Sequence, residues 1–152
     1  MAQEDAKMKK TSPPDPAFES RIRSSFARQG LMKTIGAHLV KVAPGEVAIE
    51  LPTSKAFTQQ HGFIHAGILS TIADNACGYA AYTLMPANSE VLGVENKINF
   101  LAPGKGERFV AIGKVIKAGR TLAVCSAEVW AYNNGEKTLV AVMQSTLMAL
   151  RK

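Results

Sequence analysis

The sequence predicts an α+β domain of two layers, one long buried helix against an antiparallel sheet of about six strands. Three observations predict it. A helical run from about His65 to Met85 is apolar on most of its circumference and ends at Pro86. Four long β-like runs follow, separated by turn signals. Two shorter β-like runs precede it, joined by Ala43-Pro44-Gly45. A chain of 152 residues suits one domain with a real core. Its 47% hydrophobic and 20% charged residues, with mean hydropathy +0.02, exclude a mainly disordered chain and argue against a fibrous one.

Residues 1–16 read as a flexible tail, with Lys7, Lys9 and Lys10 ahead of Pro13, Pro14 and Pro16, and residues 17–152 as the single domain. Pro16 suits a helix start and Asp15 its cap. Phe18, Ile22 and Phe26 recur at helical spacing and Gly30 is the expected stop, so one short amphipathic helix is predicted. Ile35 to Val42 and Glu46 to Leu51 pair as a hairpin. Val47, Ile49 and Leu51 alternate with Glu46, Ala48 and Glu50, which turns one face inward. Leu51 to Phe63 is loop, and the long helix follows. The later strands are Val91 to Leu101, Arg108 to Lys117, Thr121 to Tyr132 and Lys137 to Leu150. Pro103-Gly104-Lys105-Gly106, Ala118-Gly119 and Asn133-Asn134-Gly135 read as turns of consecutive hairpins, an antiparallel meander.

Between Ala56 and Ser89 the only formal charge is Asp74. A carboxylate in apolar surroundings is poorly solvated and destabilises the fold unless it is satisfied or used, which makes it a candidate functional group. Taken alone, it fits a solvent-facing or structurally bonded aspartate better, and only the surrounding motif reverses that. Gly67, Ser70, Thr71, Asp74, Gly78 and Ala81 share one helical stripe of small or polar residues, where a ligand or another backbone can approach closely. The helix N-terminus offers unpaired amides at Ala66 and Gly67 and a positive dipole end, suited to polarising a carbonyl. At 1.5 Å per residue Asp74 lies roughly 12 Å along the axis from them. One helix therefore does not readily bring both groups to one carbonyl.

Composition narrows the function classes. Cys77 and Cys125 sit in apolar runs with no metal-like or redox-like spacing, and read as buried free thiols of a reducing compartment. No apolar leader opens the chain, and the run from Ile64 to Met85 is interrupted by Ser70, Thr71, Asp74 and Asn75, so a soluble, cytoplasmic protein is expected, with no membrane partner. A net charge of +6 and pI near 9.5 favour anionic partners. No nucleic-acid motif is present, so no nucleic-acid partner is expected and a phosphate-bearing ligand gains ground; simple solvation explains the charge about as well. His61 and His65 stand four apart, but the glutamate of a zincin motif is absent, so no metal is expected. His38 reads as an ordinary strand residue, and Phe63, Ile64, Tyr79 and Tyr82 as core.

Three segments together resemble the PaaI-like acyl-CoA thioesterases of the hotdog fold. The first is His65-Ala66-Gly67-Ile68-Leu69-Ser70-Thr71-Ile72-Ala73-Asp74, similar to a His-Gly-Gly step with an acid nine residues after the His. The second is Val94-Glu95-Asn96-Lys97-Ile98-Asn99-Phe100-Leu101-Ala102-Pro103, and the third Ile116-Lys117-Ala118-Gly119-Arg120-Thr121-Leu122. His61-Gly62 is an alternative His-Gly pair, but the distance to Asp74 and the start of the apolar run favour His65. The resemblance spans about Phe18 to Leu150. It implies a long central helix wrapped by a curved sheet, and an acyl-CoA thioester hydrolase that needs no cofactor beyond the coenzyme A of its substrate. It implies Asp74 as general base or nucleophile, Gln59 (six before His65) as a positioner of thioester or water, and His65, Ala66 and Gly67 at the carbonyl. It implies substrate contacts at Gly93, Lys117, Arg120 and Thr121, with Lys105 and Arg108 weaker candidates for the phosphates. It further implies a site shared between two subunits, hence a homodimer or a dimer of dimers, a homotetramer.

The chain departs from this pattern at three places. Ala66 replaces a Gly, which is harmless only if the backbone there is helical. Gly78 and Gly93 stand where other members carry a hydroxyl that holds water. Two other readings stay open: a non-catalytic acyl-CoA-binding protein, which the missing hydroxyls favour, and a hotdog hydratase or dehydratase, whose Asp-and-His spacing is not found here. A fused DNA-binding segment would favour a regulator, and residues 1–16 are too few to hold one.

Overall fold

The computed structural model describes residues 13–151. Two short helices come first, α1 (Phe18–Ala27) and α2 (Gly30–Ile35), then strands β1 (His38–Ala43) and β2 (Glu46–Pro52) and a 3₁₀ turn at Lys55–Phe57. The long helix α3 (Ala66–Tyr82) follows, then β3 (Ser89–Phe100), β4 (Arg108–Ala118), β5 (Leu122–Asn133) and β6 (Glu136–Arg151). All six strands pair antiparallel in one sheet curled around α3, the expected hotdog arrangement.

Small residues seat the helix. Val47, Gly113, Ala127, Met143 and Ile98 pair across the sheet as one inward row. A Cβ on Gly113 would lie 2.3 Å from the Ala76 backbone, so the helix rests directly on β4. Ala73, Ala76 and Ala80 are fully buried along the same contact. The alternation expected in β2 holds, with Val47, Ile49 and Leu51 fully buried; Ala48, placed on the outer face, is also covered. Cys77 and Cys125 are buried and unpaired. Burial pushes the Cys125 thiol up to about 12 and raises the Cys77 thiol further still, so both stay protonated and inert.

The strand order is β1-β2-β4-β5-β6-β3, which corrects the expected meander. β4, β5 and β6 are consecutive hairpins, and Asn134 and Gly135 close the last one with positive φ of 50° and 80°. β3 instead pairs with β6 at the sheet edge. Residues 101–107 therefore step across the ends of two strands rather than forming a hairpin turn. Leu101 donates to Val140, Gly104 accepts from Ile64 and Glu107 donates to Tyr132, each at 2.8 Å. A Cβ at Gly104 would come within 3.1 Å of the Ile64 carbonyl. A short Pro-Gly loop looks alike in sequence whether its strand returns beside its neighbour or beyond two intervening strands.

The N-terminal region also differs. Gly30 does not stop α1, which ends at Ala27; it opens α2, which ends at Gly36 with φ 72°. Ile35, expected to begin a strand, is the last residue of that helix, because six residues carry too little periodicity to separate helix from strand. α3 ends at Tyr82 rather than Met85: the buried Thr83 hydroxyl donates to Ala80 and accepts from the Gly45 amide.

Of the expected tail, residues 1–12 lie outside the described residues. α1 begins at Phe18 with Ala17 as its N-cap, so Asp15 does not cap it as expected; Asp15 is buried, accepts the Ala17 amide at 2.9 Å ahead of the helix, and pairs with Arg21 at 3.1 Å. The Arg21 Nε–H is not aimed along that contact, so the link is an ion pair rather than a hydrogen bond. The Arg21 guanidinium donates to the carbonyls of Tyr82, Met85 and Pro86 and lies 4.3 Å from the Tyr82 ring. These carbonyls end or follow α3, where a cation is favoured. One side chain thereby fastens α1 to the end of α3.

Candidate active site

The first turn of α3 spends its amides unevenly. His65 is the N-cap, with φ −60° and ψ 134°, and its Nδ1 accepts the Gly67 N–H at 2.9 Å. That bond places the imidazole proton on Nε2. The N–H groups of Ile68 and Leu69 both donate to the His65 carbonyl. The Gly67 amide, expected to face a carbonyl, is therefore already engaged by His65. The Ala66 N–H has no partner among the described residues. Ala66 itself is helical and Asn134 is the only described non-glycine residue with positive φ, so the Gly-to-Ala departure causes no strain.

Ala66 and Gln59 line one hollow of about 460 Å³, walled by Phe63, Leu69, Phe100 and Leu101. The Gln59 side-chain oxygen accepts the His61 N–H, and its backbone bonds Phe63 and Gly62. With the oxygen held, the Gln59 –NH₂ remains a donor without a partner among the described residues. The hollow thus combines a mainly apolar wall with two unspent N–H donors.

Asp74 lines a different cavity, of about 330 Å³. It is half-buried rather than fully enclosed, and Oδ1 accepts from Asn96 Nδ2 at 3.1 Å. Gly78 and Gly93 flank it, and a Cβ on either would meet nothing within 4 Å. The missing hydroxyls therefore leave real space beside the carboxylate. Gly93 precedes a bulge at Val94, which breaks the β3–β6 register there. Of the small-residue stripe, Ser70 and Thr71 turn their hydroxyls to the carbonyls of Ala66 and Gly67, and Ala81 is buried in the core, so the open part of the stripe ends at Gly78.

Lys117, Arg120 and Thr121 are exposed on the β4–β5 connection, where Gly119 donates to Leu122 and Thr121 accepts from Ala149. This turn lies over the end of α3, beside Ala81, Leu84 and Met85, and thus nearer the Asp74 end than the Ala66 end. Lys117 and Arg120 have no ion-pair partner among the described residues. Lys105 is exposed with none either, whereas Arg108 is committed to Glu50 at 2.8 Å and to the Tyr132 ring at 3.9 Å.

One chain therefore brings Gln59 with Ala66, and Asp74 with Gly93, but does not bring these pairs together; the two cavities share no lining residue. Several groups at the Asp74 cavity escaped the sequence reading. Asn96 lay in a quoted strand but carried no assigned role. Ser25, Gln29 and Glu90 lie far from the motif in sequence, and Tyr79 read as core although it also lines the cavity. Among the described residues there is no group of three or more His, Cys, Asp or Glu side chains placed to hold a metal, and no helix long and apolar enough to cross a membrane.

The chain resembles known thioesterases in sequence and in fold. A solved thioesterase family protein from Silicibacter pomeroyi superimposes with a TM-score of 0.88 at 50% identity, over 89% of this chain and 99% of that one. The 1,4-dihydroxy-2-naphthoyl-CoA hydrolase of Listeria monocytogenes is 26% identical over 81% of this chain and 98% of its own. Human acyl-coenzyme A thioesterase 13 is 32% identical over 59% of this chain and 64% of its own. The thioesterase superfamily profile matches residues 61–138, from the loop carrying His61 through α3 to the start of β6. That segment is more than half of the chain, and the protein belongs to the thioesterase superfamily.

Proposed function

We propose that the protein hydrolyses an acyl-CoA thioester to a carboxylic acid and free coenzyme A, in a site built from two copies of the chain. The observation that carries this is the separation of the two cavities along α3: donors without a carboxylate at one end, a carboxylate without free amides at the other. A second copy laying its α3 N-terminus against Asp74 completes the set. The edge strand β3 supports such pairing, since Leu92 and Val94 on it are 49% and 53% exposed.

In this site the thioester oxygen lies against the Ala66 N–H, with the Gln59 –NH₂ and the His65 Nε2–H as neighbouring donors. Asp74 acts in one of two ways. As general base it takes a proton from water; the water oxygen bonds the carbonyl carbon, the C–S bond breaks, and the thiolate receives that proton. As nucleophile its oxygen bonds the carbonyl carbon and expels the thiolate; water then attacks the Asp74 carboxyl carbon of the anhydride, the bond to the acyl-bearing oxygen breaks to release the carboxylic acid, and a water proton goes to the thiolate. Single turnover in ¹⁸O water separates the two, because only the second places label in Asp74. Lys117, Arg120 and Thr121 are placed to meet the phosphates of coenzyme A from the β4–β5 turn. The assembly is a homodimer or a dimer of dimers, the compartment is the cytoplasm, and no metal takes part.

Purified protein is expected to release thiol from a panel of acyl-CoAs. Asp74→Asn should lower kcat by about 10²–10⁴-fold while the circular dichroism spectrum is unchanged. Full activity in folded Asp74→Ala would sink the proposal. Bare Gly78 and Gly93 beside an Asp74 already bonded to Asn96 favour a second reading, an acyl-CoA-binding protein without turnover. Micromolar binding with no thiol release from any member of the panel would select it.

A further inference from the structure

The Asp74 cavity has two unlike walls. Val91, Leu147, Gly78 and Gly93 make one that is apolar or bare. The other is polar: Ser25 of α1 and Gln29, the N-cap of α2, face Asn75 and Tyr79 of α3, with Glu90 of β3 on the same lining. α1 lies outside the segment matched to the family, which begins at residue 61.

The hydrogen bonds of this wall can be oriented. Asn75 Nδ2 donates to the Thr71 carbonyl at 3.1 Å, so Asn75 Oδ1 must accept. Gln29 Nε2 reaches that oxygen at 2.7 Å and must therefore be the donor, which fixes the Gln29 amide. Its second N–H goes to the Tyr79 hydroxyl at 2.7 Å. The Tyr79 hydroxyl and Ser25 Oγ lie 3.2 Å apart, and either can donate to the other. Two ends of the chain are left over: the Gln29 side-chain oxygen as acceptor and one hydroxyl hydrogen, of Ser25 or of Tyr79, as donor. Neither has a partner among the described residues, and both belong to residues lining the cavity that holds Asp74. A fixed acceptor and donor beside a reacting carboxylate form a recognition site for a group that can both give and take a hydrogen bond.

We propose that the segment from α1 to the start of α2 sets the acyl selectivity of the protein: Gln29 and Ser25, held in place by Tyr79 and Asn75, recognise a hydroxyl-type substituent on the acyl group. This rests on Asp74 acting on an acyl thioester. The cavity volume of about 330 Å³ falls at the small end of ligand sites, roughly 300–1,000 Å³, which suits a short substituted acyl group. A site built to bond a hydroxyl discriminates against the analogue that lacks it, because its own polar atoms are then left unpaired.

The test uses hexanoyl-CoA and octanoyl-CoA, each with and without a terminal hydroxyl. Thiol release gives kcat/KM for the native protein, and calorimetry on Asp74→Asn gives Kd for the same compounds. The hydroxylated member of at least one pair should be preferred about tenfold, and Gln29→Leu should bring that ratio to about one. If Gln29→Leu melts early, Tyr79→Phe serves instead: it keeps the ring contact with Phe26, at 5.8 Å between centroids, and removes the hydroxyl that links Gln29 to Ser25. A merely structural role for α1 would change Tm and leave the ratio. Ratios near one for both pairs in native protein, or a ratio unmoved by both variants, overturn the proposal. Preference in Kd without thiol release by native protein keeps the selective wall and sinks the hydrolase reading; thiol release without preference does the reverse.

Discussion

The two ends of α3 divide the chemistry between them. At its start backbone groups dominate: a histidine cap, one unspent amide at Ala66 and the held amide of Gln59, over an apolar hollow. Two turns on, side chains dominate: the Asp74 carboxylate, its partner Asn96, and a polar wall to which Ser25 of α1 and Gln29 before α2 contribute. The first end suits developing negative charge on oxygen, and the second suits holding water and an acyl group. A single helix cannot fold back on itself, so within one chain these complementary halves do not meet; the proposed site joins them between copies. The comparison teaches that residues close in the motif, Ala66 and Asp74, line separate cavities in this chain.

The largest effects expected from breaking this comparison lie at the reacting groups. Ala66→Pro removes the unspent N–H while keeping the helix, because proline is tolerated at the first helical position and His65 already has the backbone a residue before proline adopts. It should cost about 10²–10³-fold in kcat with Tm unchanged; unchanged kcat would remove Ala66 from the site. Next comes complementation. Asp74→Asn and Gln59→Ala proteins, each weak alone, should regain roughly a quarter of native activity after co-refolding, since half of the assemblies are mixed and carry one intact site of two. No recovery would place both groups in one chain. Gly113→Ala should destabilise by roughly 3 kcal/mol in urea titration, because a Cβ there meets the Ala76 backbone. It tests whether both ends depend on the same seating of α3. The smallest effect is expected from Arg21→Ala, about 2 kcal/mol, from loss of its bonds to the carbonyls after α3. If α1 shapes only the Asp74 end, this variant should change acyl preference while leaving the response to Ala66→Pro intact.

Legibility varied with how local each feature is. β5 and β6 were readable because alternation and an Asn-Gly turn act within a few residues. α3 was readable because an uncharged run interrupted by one carboxylate and closed by Pro86 has few other meanings. α2 was not, since six residues show no period and Gly30 serves at a helix start as well as a stop. Asp74 could be singled out, but its half-exposure and its bond to Asn96 depend on β3 lying at the sheet edge, which no local pattern encodes.

The sequence by itself determined the fold class, the register of Asp74 against His65, and the resemblance to acyl-CoA thioesterases, because periodicity, turn chemistry and motif spacing are properties of neighbouring residues. The tertiary structure alone decided which amide of the first turn stays unspent, that β3 leaves the meander for the edge, and that Gln29 and Ser25 reach the Asp74 cavity. Each of these depends on hydrogen bonds between groups far apart in the chain, and only the packing of α1, α3 and the sheet brings those groups within reach.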